Sequence, residues 1–210
     1  DKYNVLNVRF GYAKPEIIKD LRYSFDFQLG NKFSKIATDF RYRKLTDSDR
    51  QFDFRLYFGT FLHNQTNDDF FSFSLDKPKD YLFDYDFLGR SEKTGFLSQQ
   101  IIIAEGGFKS MFENPYANQW MITTNGSIGI WKWIEAYADA GFYKNKYNDA
   151  IFRYDSGIRL NFIHNILEVY FPLQSSIGFE PSQPNYASKI RFVLTVSPNR
   201  IINFVRRGFF

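Results

Sequence analysis

The side chains with catalytic reach are few and scattered. The two histidines are His63 and His164, and neither has a ligand-like neighbour. A zinc-peptidase helix needs two histidines four residues apart with a glutamate beside the first, and no such spacing occurs. Carboxylate pairs such as Asp84/Asp86 or Asp39/Asp53 would suit acid–base work if their surroundings drove their pKa values apart. Standing beside arginines at strand positions, they are read instead as charge partners. Cysteine is absent, which removes thiolate catalysis, disulfides and cysteine metal sites together. No glycine-rich phosphate loop is present, so no cofactor or metal site is expected in this chain. What remains is a regular set of opposite charges: Asp39, Arg41, Asp53, Arg55, Glu135, Asp139, Arg153, Asp155, Arg159, Glu168 and Arg191. Their chemistry is ion pairing, provided that the fold lines them up on one face.

Period-two strands can do that. Leu21, Tyr23, Phe25, Phe27 and Leu29 alternate with Arg22, Ser24, Asp26 and Gln28, the signature of a sheet with unlike faces. Ile36, Thr38, Phe40 and Tyr42 alternate with Ala37, Asp39, Arg41 and Arg43. Phe52, Phe54, Leu56 and Phe58 alternate with Asp53, Arg55 and Tyr57. The pattern returns through Ile134–Phe142, Phe152–Phe162, Leu167–Phe171 and Ile190–Val196, and around Leu6–Tyr12. Charged residues, 24% of the chain and spread along it, leave no apolar run long enough for a transmembrane helix. Yet aromatics reach 20% while the mean hydropathy is −0.40. A barrel wall reconciles the two, because alternation hides a lipid face and a lumen face in one average.

A soluble barrel would turn the apolar face inward. Phe, Tyr and Leu from nearly every strand would overfill a lumen that side chains already fill at eight strands. The expected fold is therefore all-β, a closed antiparallel transmembrane β-barrel with apolar residues outward and the charge set in the lumen. Gly30-Asn31, Trp131-Lys132 and His164-Asn165 are read as short periplasmic turns, which puts both histidines at the periplasmic end. Leu45–Gln51, Lys144–Asp149 and Gln174–Tyr186 are read as the longer outer loops. Counting crossings between them predicts three strands near 68–75, 80–88 and 98–108. That makes about 12 strands, with 10 as the alternative, and puts both termini on the periplasmic side.

Tyr12, Trp120, Trp131, Trp133 and Tyr143 fall near expected strand ends, where amphipathic rings favour the membrane interface. Ser197-Pro198 offers an N-cap and a first-turn proline, predicting a short periplasmic helix. The chain thus divides into a barrel, 1–197, and a basic amphipathic tail, 198–210, whose Arg200, Arg206 and Arg207 would meet anionic headgroups or a partner protein. The net charge of +4 and pI of about 9.1 do not indicate nucleic acid, because acids interleave with the bases. Lipid bilayer and lipopolysaccharide phosphates are the expected partners, along with other outer-membrane or periplasmic proteins.

From about residue 80 onward, Gly106-Gly107-Phe108-Lys109, Asn118-Gln119-Trp120, Ile130-Trp131-Lys132-Trp133, Tyr154-Asp155-Ser156-Gly157-Ile158-Arg159, Tyr170-Phe171-Pro172, Gln183-Pro184-Asn185-Tyr186 and Arg206-Arg207-Gly208-Phe209-Phe210 follow one another. This succession resembles the C-terminal segment of large Bacteroidetes gluzincin-type, zinc aminopeptidase-like metallopeptidases. The resemblance implies a bacterial outer-membrane anchor whose zinc-binding domain lies upstream, and it carries no catalytic residue onto these positions. Anchor or interaction scaffold is therefore the leading expectation. A small porin-like channel and a barrel enzyme with a rim site are the alternatives.

Overall fold

The computed structural model describes residues 3–46, 50–66, 68–77, 79–82, 92, 94–163 and 167–194. Its strands are β1 (Val5–Pro15), β2 (Lys19–Gly30), β3 (Phe33–Leu45), β4 (Gln51–Asn64), β5 (Phe73–Ser74), β6 (Tyr116–Ala117), β7 (Trp120–Trp131), β8 (Ile134–Lys144), β9 (Ile151–Ile163), β10 (Leu167–Ser175), β11 (Gly178–Phe179) and β12 (Arg191–Leu194). A four-residue helix, α1 (Tyr186–Lys189), precedes β12. The long strands form one antiparallel meander in the order β1-β2-β3-β4-β7-β8-β9-β10, and both β11 and β12 pair with β10. The protein is all-β, as its alternation requires.

The two faces are inverted relative to a water-soluble sheet. Asp139, Glu135 and Arg191 are 2%, 3% and 0% exposed, whereas the outward Phe10, Ile128 and Phe152 are 64%, 51% and 46% exposed. The polar face is covered on β4 and β7–β10, and the apolar face is bare.

The cover is the stretch between β4 and β7, and here the expected topology fails. No described residue of 68–108 belongs to a crossing strand, and residues 83–88 of the expected middle strand, 80–88, lie outside the described set. Instead β4 pairs directly with β7, from Phe52↔Ile128 to Thr60↔Trp120. The 55-residue link 65–119 lies against the polar face, closed on itself by the short β5–β6 ribbon. Phe73, Leu75, Phe108 and Phe112 pack with the inward Tyr57, Met121 and Tyr143. These link residues find their apolar partners on the inner wall, so they have no need of lipid.

The parity of the turns changes with it. The β2–β3 turn, the 65–119 link and the β8–β9 link share one rim, called the first. The β1–β2, β3–β4 and β7–β8 connections share the other. Gly30-Asn31 therefore stands opposite Trp131-Lys132, and Leu45–Gln51 joins the latter. Val5 begins at the first rim, opposite Gly30, and Leu194, opposite Leu167, ends towards the second. The expectation of both ends on one side fails for these residues. His63, at the first-rim end of β4, stands at the rim opposite Trp131-Lys132. Eight strands of nine or more residues are described, together with the four-residue β12. His164, the basic tail 198–210 and the boundary at 197 lie outside the described residues.

Candidate functional site

The register puts the charged residues in rows across the polar face. One row runs Arg41↔Arg55, Arg55↔Asn125, Asn125↔Asp139 and Asp139↔Asp155. Directly opposed like charges are unfavourable in a sheet, and two such pairs stand in this row. Each is resolved by a different device.

Arg41 and Arg55 share the carboxylate of Asp39. The Arg55 guanidinium donates to Asp39 Oδ2 at 2.7 and 2.9 Å and to Oδ1 at 3.1 Å, and Arg41 donates to Oδ2 at 2.8 Å. The arginines of the row do not reach the pair Asp139/Asp155, and the 65–119 link supplies most of its donors. Lys109 Nζ lies 2.8 and 2.9 Å from the two Asp139 oxygens. The backbone N–H groups of Lys109 and Ser110 donate to Asp155 Oδ2 at 2.8 and 2.5 Å. The Asn125 amide bridges the systems, donating to Asp139 at 2.9 Å and to the Gly106 carbonyl at 3.1 Å. Arg55 also reaches across, donating to the Ala104 carbonyl at 2.8 Å. The wall's charge pattern is complete only with the link in place.

A second cluster needs no help from the link. Arg159 donates to Glu135, to Asp53 at 3.0 Å and to Ser127 at 3.1 Å, and lies 3.7 Å from Glu168. Arg43 holds the far oxygen of Asp53 at 2.7 Å, and Asn161 donates to Glu135 at 2.9 Å. Charges paired this closely can persist without water where a lone one could not, although the buried Arg159 Nε finds no hydrogen-bond partner among the described residues.

Of the expected network, ten residues enter these clusters or the link contact. Arg191 is fully buried, donating to the Asp76 carbonyl of the link at 3.4 Å. The remaining member, Arg153, lies against the Phe112 ring of the link, 5.9 Å from its centroid. Lys35 was not singled out in the sequence. It is buried, donates to the Phe71 carbonyl at 2.8 Å and sits 4.7 Å from the centre of the Phe73 ring. Lys109 and Asn125 were likewise missed as charge partners: Lys109 lies on the link, outside any strand, and Asn125, although opposite Asp139, carries no charge.

Two glycines let the link approach so closely. A Cβ on Gly106 would lie 2.4 Å from the Leu75 Cα, and one on Gly107, at φ +75°, would lie 2.5 Å from Asn125 Oδ1. The Gly106-Gly107 dipeptide was the visible signal of this contact.

The aromatic expectations divide. Trp131 is 64% exposed and Trp133 stacks on Phe162 at 5.3 Å, both at the second rim, and Tyr12 is exposed nearby on β1. Trp120 is half-buried at the first rim. Tyr143 is different: it points inward, buried, with its hydroxyl donating to the Asn114 carbonyl at 3.3 Å. Its odd position in β8 shares the face of Glu135 and Asp139, so it cannot belong to an outer girdle.

The link packs on β4 and β7–β10 and reaches β3 through Phe71, which stacks on Phe33 at 4.4 Å and accepts from Lys35, but it leaves space over much of β1–β3. A cavity of about 280 Å³ lies there, lined by Arg9, Asp26, Arg41, Asp80, Tyr81 and Glu105 among others. On the link side, burial pushes the Glu105 carboxyl above the ordinary range, with Lys35 pulling it back and the Ser74 N–H donating at 3.1 Å. Burial raises Asp76 in the same way, opposed by Arg191. No protein-family model, curated protein or solved structure matches the chain.

Proposed function

We propose that this chain forms the wall of an outer-membrane β-barrel and serves as a membrane anchor or interaction scaffold, with its lumen occupied by the 65–119 link. The observation that carries the reading is the inversion of the sheet: its charged face is buried on β4 and β7–β10, and large apolar side chains stand exposed on the opposite face along the meander from β1 to β9. A large exposed apolar surface calls for a partner, and period-two strands that are apolar outward are the pattern lipid selects. Trp131 and Trp133 at one rim supply interfacial anchors. In this reading the segment fills the lumen as a plug, since three link groups donate to Asp139 and Asp155. The resemblance to the C-terminal part of gluzincin-type metallopeptidases makes a catalytic domain elsewhere in the same polypeptide the cargo of the anchor.

The cavity beside β1–β3 favours a second reading, a narrow polar path for small solutes past the plug. Fractionation tests the first: the native protein is expected in carbonate-resistant outer membrane, with heat-modifiable electrophoretic mobility. Recovery in the soluble periplasmic fraction refutes it. In planar bilayers, an anchor passes no current, whereas steady unitary conductance establishes the second reading.

A further inference from the structure

The free side of β1 sets a requirement for whatever completes the sheet, and the inference rests on the membrane reading. The Glu16 N–H donates to the Lys19 carbonyl at 2.6 Å, and the β1–β2 register continues this pairing without a shift. Hydrogen-bonded pairs alternate along an antiparallel ladder, so even-numbered residues of β1 bond β2. The backbone groups of Val5, Asn7, Gly11 and Ala13 point the other way, and Pro15, which lacks an N–H, falls in the same set. Among the described residues no strand lies on that side. The outward Leu6, Phe10 and Tyr12 are 57%, 64% and 57% exposed. Hydrocarbon does not tolerate such an edge.

Strand direction limits what can cover it. β1 and β12 both run from the first rim to the second, so joining them would make a parallel pair. An all-antiparallel closure needs an odd number of strands between them. A second copy does not supply them. Related by an axis along the barrel, it again sets β1 parallel to a β12, and related by an axis in the membrane plane, it would insert upside down. Link length gives an independent count. The second-rim connections 16–18, 46–50 and 132–133 are short, while the 55-residue link opens from the first rim. Barrels keep short turns on the periplasmic side, so the first rim faces outward and β1 begins there. A chain delivered from the periplasm must cross the membrane an odd number of times before Val5. The concave side also holds the backbone of 71–76 and 100–112, more than eight strands enclose.

We propose that an odd number of transmembrane strands, contributed by the same polypeptide ahead of β1, pairs with β1 and closes the barrel. The strand beside β1 runs from the second rim to the first, polar inward and apolar outward.

These 210 residues lack cysteine, so single cysteines placed in the full native polypeptide, with any cysteine elsewhere in it replaced by serine, report each rim cleanly. A membrane-impermeant maleimide on intact cells is expected to label Lys32→Cys at the first rim. Ile17→Cys at the second rim should react only after the outer membrane is opened. The native polypeptide should have a mass well above 24.9 kDa. In outer-membrane vesicles, the amides of Val5, Asn7, Gly11 and Ala13 should exchange hydrogen as slowly as those of Leu6, Phe10 and Tyr12. If the rims label as expected but those four amides exchange freely, or the native chain starts near residue 1, the proposal is overturned and the membrane reading stands. If both cysteines label in intact cells, the membrane reading falls and takes the proposal with it.

Discussion

Lys109 and Asp139 offer the sharpest test of how the plug is held. Their side chains are 6% and 0% exposed and meet at 2.8 Å, and Asp139 also accepts from Asn125. Lys109→Met leaves Asp139 and its like-charged neighbour Asp155 opposed without the cation. Breaking one partner of a buried pair costs about 3–5 kcal/mol. Asp139→Leu should cost a similar amount by stranding the ammonium. The double variant removes both charges and fills the space with apolar volume, so it should recover to within about 1 kcal/mol of the parent, or exceed it. The assay is urea unfolding of the full polypeptide folded into lipid vesicles, with limited proteolysis of 65–119 as a local readout. Both singles should loosen the plug to protease and the double should not. Single-variant costs below about 1 kcal/mol, the range of an exposed pair, would refute the claim that this contact anchors the plug.

Other outcomes follow from the same structure. Phe25→Arg, on the outer face in mid-strand, should cost about 2–4 kcal/mol in bilayers if it lies near the midplane, and tolerance in vesicle unfolding would count against the face assignment. Gly106→Ala places a methyl 2.4 Å from the Leu75 Cα and should expose the plug to protease while the wall stays protected; unchanged cleavage would mean that the link yields at no cost. Burial raises the Glu105 carboxyl, so the folded state binds that proton more tightly than the unfolded chain. Its contribution is present below the unfolded pKa and is lost as pH rises through the folded value. Glu105→Gln keeps an acceptor for Ser74 and should therefore reduce the fall in plug protection between acid and neutral pH; an unchanged pH profile would remove Glu105 from the account.

Much of the wall was legible in the sequence because side-chain period in a strand is fixed by backbone geometry. Phe52, Phe54 and Leu56 against Asp53 and Arg55 could not be read any other way, and the observed faces agree. Arg159 among Glu135, Asp53 and Glu168 follows from the same alternation, once neighbouring strands are paired in register. Trp131 and Trp133 at a rim follow from the two-residue turn between β7 and β8. All of these depend on local rules.

The link 65–119 obeyed none of them. Phe71, Phe73 and Leu75 have the odd spacing of a strand, and their sequence does not say whether lipid or the inner wall receives them. That choice depends on Tyr57, Met121 and Tyr143, which are near in space and remote in the chain. The same holds for Lys109: its partner Asp139 is 30 residues away and is reachable only because Gly106 and Gly107 let the backbone close on Leu75 and Asn125. The error propagated, since an odd number of crossings in 68–108 was needed to keep Gly30-Asn31 and Trp131-Lys132 on one rim. Sequence alternation determined which residues share the apolar face and which share the charged face. Only the tertiary structure decided what covers the charged face and which way each strand runs, because both depend on pairings between distant segments that no local period encodes.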